Sequence, residues 1–290
     1  MNKTNTLEGF DVVIDVVSAE YYAEEHISGA INICGYETAF AGKVEDAYPD
    51  KKTKIVVYGP TSAEGKYALS KLLDAGYENA VYLAGGMNQW SDEGGSVEIT
   101  RKYVPPKIED GEYELDLEKS KVLWIGRNKG NSHMGTIDAI KGGVIVLANK
   151  PTDSEFVLDF NTIKCIDLAG DDSHDYLIKH LHSADFFLTS RFPHATFVIN
   201  HVEKISGRTQ SELNYDVSGE LTMRGQTHTI SFEAAIHPDQ EGGITAQAHV
   251  DIDRTDWGMV YGSERFLRHL GMHILQDEVT LDLKLYFTKK

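Results

Sequence analysis

Cysteine is scarce in this chain: only Cys34 and Cys165 occur in 290 residues. That excludes a disulfide framework, and two isolated thiols suit a reducing compartment. No run approaches the ~20 apolar residues that a membrane-spanning helix needs, and the start, MNKTNTLEGF, lacks the apolar core of a signal peptide. A cytoplasmic location with no integral membrane segment is therefore expected. Positive charge is also in short supply, with 28 Lys and Arg against 45 Asp and Glu, a net charge of -17. Such a surface repels phosphate backbones, so nucleic acid is not an expected partner. There is no HExxH spacing and no paired cysteine motif, so no metal centre is expected from local motifs.

What is present is enough apolar material for two cores. Hydrophobic residues make up 41% of the chain and no low-complexity tract interrupts them. In the first hundred residues, short continuous apolar runs such as Val12-Val13-Ile14 and Ile55-Val56-Val57-Tyr58 alternate with helix-like spacing at Tyr67, Ala68, Leu72 and Leu73, and Gly76 stands where a helix would end. Continuous apolar strands separated by helices predict an α/β domain whose parallel sheet is covered on both faces. The stretch TRKYVPPKIEDGE, residues 100–112, reads as a stiff connector. Beyond it the texture changes to strict alternation, clearest in Ile244, Ala246, Ala248, Val250 and Ile252 and again in Val279, Leu281, Leu283, Leu285 and Phe287. That pattern predicts a mainly β, antiparallel barrel. The expected layout is an α/β domain over 1–104, a linker over 105–112 and a barrel over 113–290.

Three segments carry a resemblance in the first half: VVIDVVSAEYYAEEHISGAI from Val12, the strand and loop from Ile55 to Glu64, and YLAGGMNQWSDEG from Tyr82. They resemble the rhodaneses, whose loop after the central strand carries a cysteine that accepts sulfane sulfur. Backbone N–H groups around such a thiol lower its pKa. Here the matching position is Gly59, so the catalytic nucleophile is missing. The arginine that the family places after Asp15-Val16 is also absent, since Val17 follows. No catalytic residue is therefore expected, and the domain reads as an interaction or regulatory module that offers a surface for a protein partner. Residues 59–65 retain an alternative, an anion cradle or a plain strand-to-helix turn, and a sulfurtransferase-related activity is the competing enzyme class. Asp15 and His26 are expected to orient loops, and Cys34 lies in a different loop.

In the second half the sequential motifs YELDLEKSKV from Tyr113, LHSADFF from Leu181, FPHATF from Phe192, VSGELTMRG from Val217 and IDRTDWG from Ile252 resemble the YceI-like proteins. That resemblance implies a lipocalin-like barrel and a bound polyisoprenoid lipid or quinone, with no other cofactor. Trp124, Phe186, Phe187, Phe192, Phe197 and Trp257 are the candidates to line the cavity or to close the core. Arg127, Lys129 and Arg224 are the candidate headgroup contacts, because a phosphate takes charge-assisted donors. Histidine is concentrated here at His133, His180, His182 and His194, and a metal- or redox-linked barrel would require several of these to converge.

Overall fold

The computed structural model describes residues 2–99, 104, 106–147 and 150–290. The chain divides into two compact units, Met1–Pro105 and Pro106–Lys290.

In the first unit seven short strands, β1 (Lys3–Thr4), β2 (Val12–Asp15), β3 (His26–Ile27), β4 (Ile31–Asn32), β5 (Ile55–Tyr58), β6 (Val81–Leu83) and β7 (Val97–Glu98), are interleaved with four helices: α1 (Ala19–Glu24), α2 (Phe40–Ala47), α3 (Ser62–Asp74) and α4 (Gly86–Asp92). Five strands form a parallel sheet in the order β1-β6-β5-β2-β4, and β3 and β7 pair separately. The central strand β5 is buried along its whole length, which explains its unbroken apolar run. Its Ile55 and Val57 pack with Phe40 and Val44 of α2 and Leu69 and Leu72 of α3. Val56 and Tyr58 face the other way, toward Ile27, Leu83 and Met87 and Trp90 of α4. Both faces are thus covered. Helix α3 starts at Ser62, earlier than the apolar spacing alone indicates, because Thr61 and Glu64 form a capping box.

The second unit has nine strands, β8 (Gly111–Leu115), β9 (Lys121–Arg127), β10 (Ser132–Leu147), β11 (Lys150–Cys165), β12 (His194–Lys204), β13 (Tyr215–Met223), β14 (Gln226–Pro238), β15 (Ile244–Asp253) and β16 (Glu278–Lys289), and one helix, α5 (His174–His182). The sheet is antiparallel and closes on itself. Strands β8 and β9 both pair with β10 and with β16, β8 toward Val146 and Phe287 and β9 toward Ile137 and Leu281. They are therefore two pieces of one stave interrupted at 116–120, and the barrel has eight staves. The alternation read from the sequence is the inside–outside alternation of these staves: Ile244, Val250 and Ile252 are buried while Gln247, His249 and Asp251 are exposed. Register shifts in the long β10–β11 ladder, between Thr136 and Asp138, Ala139 and Lys141, and Gly143 and Ile145, mark irregularities of the kind that bend a barrel wall.

The expected linker over 105–112 is corrected in part. Pro105, like residues 100–103, lies outside the described residues. Residues from Ile108 onward belong to the barrel: Ile108 packs beside Tyr113, Val146 and Phe287, the Tyr113 hydroxyl donates to the Glu109 carbonyl at 2.9 Å, and Lys289 pairs with Glu109 at 2.6 Å. Apolar contact through Ile108 and the Glu109–Lys289 ion pair together hold this segment. No helix among the described residues is long and apolar enough to cross a membrane.

Two outcomes follow from this packing. A fragment starting at Pro106 is expected to be more stable than one starting at Tyr113 by about 2–4 kcal/mol, the sum of one isoleucine's burial and the lost strand hydrogen bonds, as read by urea denaturation. On the outer face His249 contacts Asp282 at 2.8 Å and Asp251 at 3.4 Å. The Asp282 hydrogen bond first, then the Asp251 charge against a small desolvation, raises the His249 pKa above its usual 6.5. Its contribution to stability is present below pH 6.5 and is lost as pH rises through the raised value. An NMR titration of the imidazole is expected to show the raised pKa, and Asp282→Asn to lower it.

Candidate functional site

The barrel interior is hollow in two lobes stacked along the staves. The first, with a volume of about 160 Å3, is bounded by Leu115, Val144, Val146, Phe156, Phe197, Val217, Ile236, Leu283 and Phe287, among others. Tyr215 and Gln247 are the polar residues on its wall. The second, of about 140 Å3, is bounded by Trp124, Ile137, Phe160, Phe186, Phe187, Met223 and Ile252 and by Leu177 and Leu181 of α5. Four residues, Leu158, Ala195, Leu221 and Leu281, line both and form a waist. The second lobe also has polar groups on its wall: Arg127, Asn128, Asn131, His133, Arg254 and Gln276. The bore therefore runs from a mainly apolar end, where Tyr215 and Gln247 are the polar neighbours, to one bordered by six polar residues that include Arg127 and Arg254.

Each polar group is placed by its strand. Arg127 ends β9, and one of its nitrogens donates to the Thr280 hydroxyl of β16 at 2.7 Å. Arg254 is only 3% exposed, and its donors are engaged with the carbonyls of Gln276 and Met259 and with Asp277. It braces the loops at that end, whereas Arg127 is the more open donor. Trp124 is fixed by its indole N–H to the Lys164 carbonyl at 3.1 Å. This close approach explains Gly135, since a Cβ there would lie 1.6 Å from the Lys164 oxygen.

Of the residues singled out from the sequence, Trp124, Arg127, Phe186 and Phe187 come together around the second lobe and Phe197 lines the first. Phe187 stacks on Phe160 with centroids 4.0 Å apart. Trp257 and Arg224 line neither lobe: Trp257 is buried in the wall with its N–H on the Leu221 carbonyl at 3.1 Å, and Arg224 donates to the Gly258 carbonyl outside. Phe192 packs under Gly225, and Lys129 is exposed. The histidines do not converge. His180 pairs with Asp185, His182 with Thr189, and His194 is exposed. His133 instead meets Asp167 at 2.8 Å, beside Cys165, whose thiol donates to the same carboxylate at 3.3 Å. Burial, with further push from Asp167, raises the Cys165 thiol; Asp167, despite some desolvation, is lowered to about 2 by the Met134 N–H and His133. This grouping depends on cross-strand register and was not legible in sequence. The aliphatic waist escaped notice as well, because Leu158, Ala195 and Leu221 look like ordinary core residues.

In the first unit the loop after β5 holds no thiol. Glu64 occupies the space beside Gly59: a Cβ on Gly59 would lie 2.5 Å from the Glu64 Cβ. The Glu64 carboxylate accepts from the Thr61 N–H at 2.9 Å and the Thr61 hydroxyl at 2.7 Å. Desolvation opposes its charge, but these hydrogen bonds hold it below the usual carboxylate range. An incoming anion would meet a carboxylate already seated there, so the turn reading fits residues 59–65 and the anion cradle does not. Asp15, deprived of an arginine, is 1% exposed and accepts from the Val17 N–H at 3.0 Å and from the Tyr58 hydroxyl, which in turn accepts from the Ile27 N–H at 2.9 Å. The His26 Nδ1–H donates to the Tyr22 carbonyl at 2.8 Å, as a loop-orienting group. Cys34 lies in the loop after β4, partly exposed.

Residues 113–287 match the YceI-like domain, and residues 2–93 match the rhodanese-like domain. The chain belongs to the YceI-like family. It joins that barrel to a rhodanese-like unit in one polypeptide. A UPF0312 protein of Pseudomonas putida is 29% identical over 156 residues, which are 51% of this chain and 76% of that protein. Among solved structures, Burkholderia cenocepacia BcnA is similar at 21% identity with a TM-score of 0.47, over 60% of this chain and 99% of that one. A polyisoprenoid binding domain from Saccharophagus degradans is similar at 14% identity with a TM-score of 0.44, over 61% of this chain and 98% of its own.

Proposed function

We propose that the YceI-like barrel carries or sequesters a linear apolar lipid of the isoprenoid or quinone class, and that the rhodanese-like unit is a non-catalytic interaction module. The observation that carries the ligand reading is the change of polarity along one bore. The first lobe offers almost nothing but aliphatic and phenylalanine surface, and burying hydrocarbon there contributes ~25 cal/mol per Å2 without specific polar contacts. A waist between two lobes suits a flexible chain better than a broad rigid ring system. The polar groups of the second lobe, with Arg127 foremost, are placed to meet a phosphate or a quinone carbonyl. The isoprenoid class itself comes from the family resemblance. For the rhodanese-like unit the support is the combination of Gly59 with the seated Glu64, which removes both the nucleophile and the room for it.

Mass spectrometry of lipids extracted from the freshly purified protein is expected to find a long-chain apolar species. Leu283→Glu, on the wall of the first lobe, is expected to abolish lipid retention or folding, because an unpaired buried carboxylate is costly. The neighbouring Lys284 is exposed, and Lys284→Glu is expected to do neither. A folded protein with no extractable lipid and no saturable binding of polyprenyl or quinone probes would overturn the reading. In a thiosulfate-to-cyanide assay the protein is expected to show background turnover only, and Gly59→Cys to leave it there because Glu64 blocks the new side chain. Turnover that survives Cys34→Ser would refute the non-catalytic assignment.

A further inference from the structure

The grouping of His133, Cys165 and Asp167 follows from the ladder between β10 and β11. Gly135 pairs with Cys165, and the Ile166 N–H donates to the Met134 carbonyl at 2.8 Å, continuing the same register beyond the end of β11. Asp167 thus stands opposite His133, while Cys165, two residues earlier, lies on the same face as Asp167. One imidazole nitrogen, one sulfur and one carboxylate oxygen all lie within 4.8 Å of one another.

We propose that His133, Cys165 and Asp167 form a binding site for a divalent transition-metal ion of the zinc type at the end of the β10–β11 ladder, bordering the polar lobe of the barrel. The donor set is the mixed sulfur, nitrogen and oxygen set that zinc and cobalt accept, and three protein ligands leave a fourth position for water or another ligand. Bond lengths of about 2.0–2.3 Å to such an ion require neighbouring donor atoms roughly 3.3–3.7 Å apart. The present separations are 2.8 Å from the His133 Nδ1 to one Asp167 oxygen and 3.3 Å from the Cys165 Sγ to the other, and side-chain rotation within this 4.8 Å cluster would bring three donors onto one ion. Two of the three ligands are carried by paired strands, so the site is largely preformed. Two hydrogen bonds now occupy the space in which the ion would sit. On binding, the Cys165 S–H bond breaks, its proton passes to solvent and the sulfur–metal bond forms. The His133 Nδ1 lone pair is made available with the ring proton on Nε2, and the Asp167 carboxylate binds as the anion it already is. No change of oxidation state is involved. Because His133 also lines the second lobe, the ion would sit beside the end of the bore where Arg127 lies.

The test uses the full chain. One equivalent of Co2+ is expected to produce the intense visible bands of a four-coordinate ion together with a near-ultraviolet cobalt–thiolate charge-transfer band. Cys34→Ser is expected to keep the thiolate band and Cys165→Ala to abolish it. By calorimetry with Zn2+ alone, His133→Gln and Asp167→Asn are each expected to weaken binding at least tenfold. Should Cys165→Ala fail to fold, His133→Gln, whose side chain is partly exposed, supplies the decisive measurement. Absence of the thiolate band in the wild-type protein, its dependence on Cys34, or a loss of less than tenfold in His133→Gln would overturn the metal site and reduce the cluster to a hydrogen-bonded end of the hairpin. Neither result bears on lipid retention, which is read separately by extraction.

Discussion

The pairing of one interrupted stave with both of its neighbours is what the rest of the second unit depends on. Strands β8 and β9 close the sheet by bonding to β10 on one side and β16 on the other. Closure satisfies the backbone groups that an open edge would leave unpaired. It also turns the apolar rows of eight staves toward a common axis, so that the interior is lined mainly by apolar side chains. Without it, Leu115, Val122, Leu281 and Leu283 would line a sheet face and not a bore. The short segment ahead of β8 belongs to the same arrangement, since Ile108 and the Glu109–Lys289 pair pin the start of the stave to its partner's end.

Within that closed wall, the lining changes with position along the staves. The same strand contributes Ile244 to the apolar lobe and Ile252 to the polar-ended one, and β16 does likewise with Phe287 and Val279. Most of the polar lining residues lie at the end where loops and α5 meet the barrel, while Tyr215 and Gln247 are the polar neighbours of the other lobe. Arg254 shows how costly such a group is to bury: its donors are directed to the Gln276 and Met259 carbonyls and to Asp277. The rhodanese-like unit presents a different case, a strand-to-helix turn packed tightly around Gly59. Strand β5 runs through that turn into α3, and the space that a Cβ on Gly59 would take is already filled by Glu64. The Tyr58 hydroxyl similarly takes up the polar demand of Asp15 that an arginine would otherwise meet.

Much of this was legible without coordinates. Period-two alternation over residues 244–253 and 279–287 determines barrel-type strands and which side chains point inward, because a pleated strand alternates its faces whatever surrounds it. Continuous apolar runs at Val12–Ile14 and Ile55–Tyr58 determine a sheet buried on both faces, and glycine at position 59 leaves no side chain at the end of β5. Of the eight aromatic and arginine candidates, Trp124, Arg127, Phe186, Phe187 and Phe197 border the bore. The other three, Phe192, Trp257 and Arg224, are equally bulky or charged in sequence, and only their position away from the bore separates them. The joining of β8 and β9 into one stave, the waist at Leu158, Ala195, Leu221 and Leu281, the seating of Glu64 against Gly59, and the meeting of His133 with Cys165 and Asp167 were all decided by tertiary structure. Each depends on the register between strands or on a distance between residues remote in sequence, and local patterning specifies the faces of a strand but not which residue of another strand stands opposite.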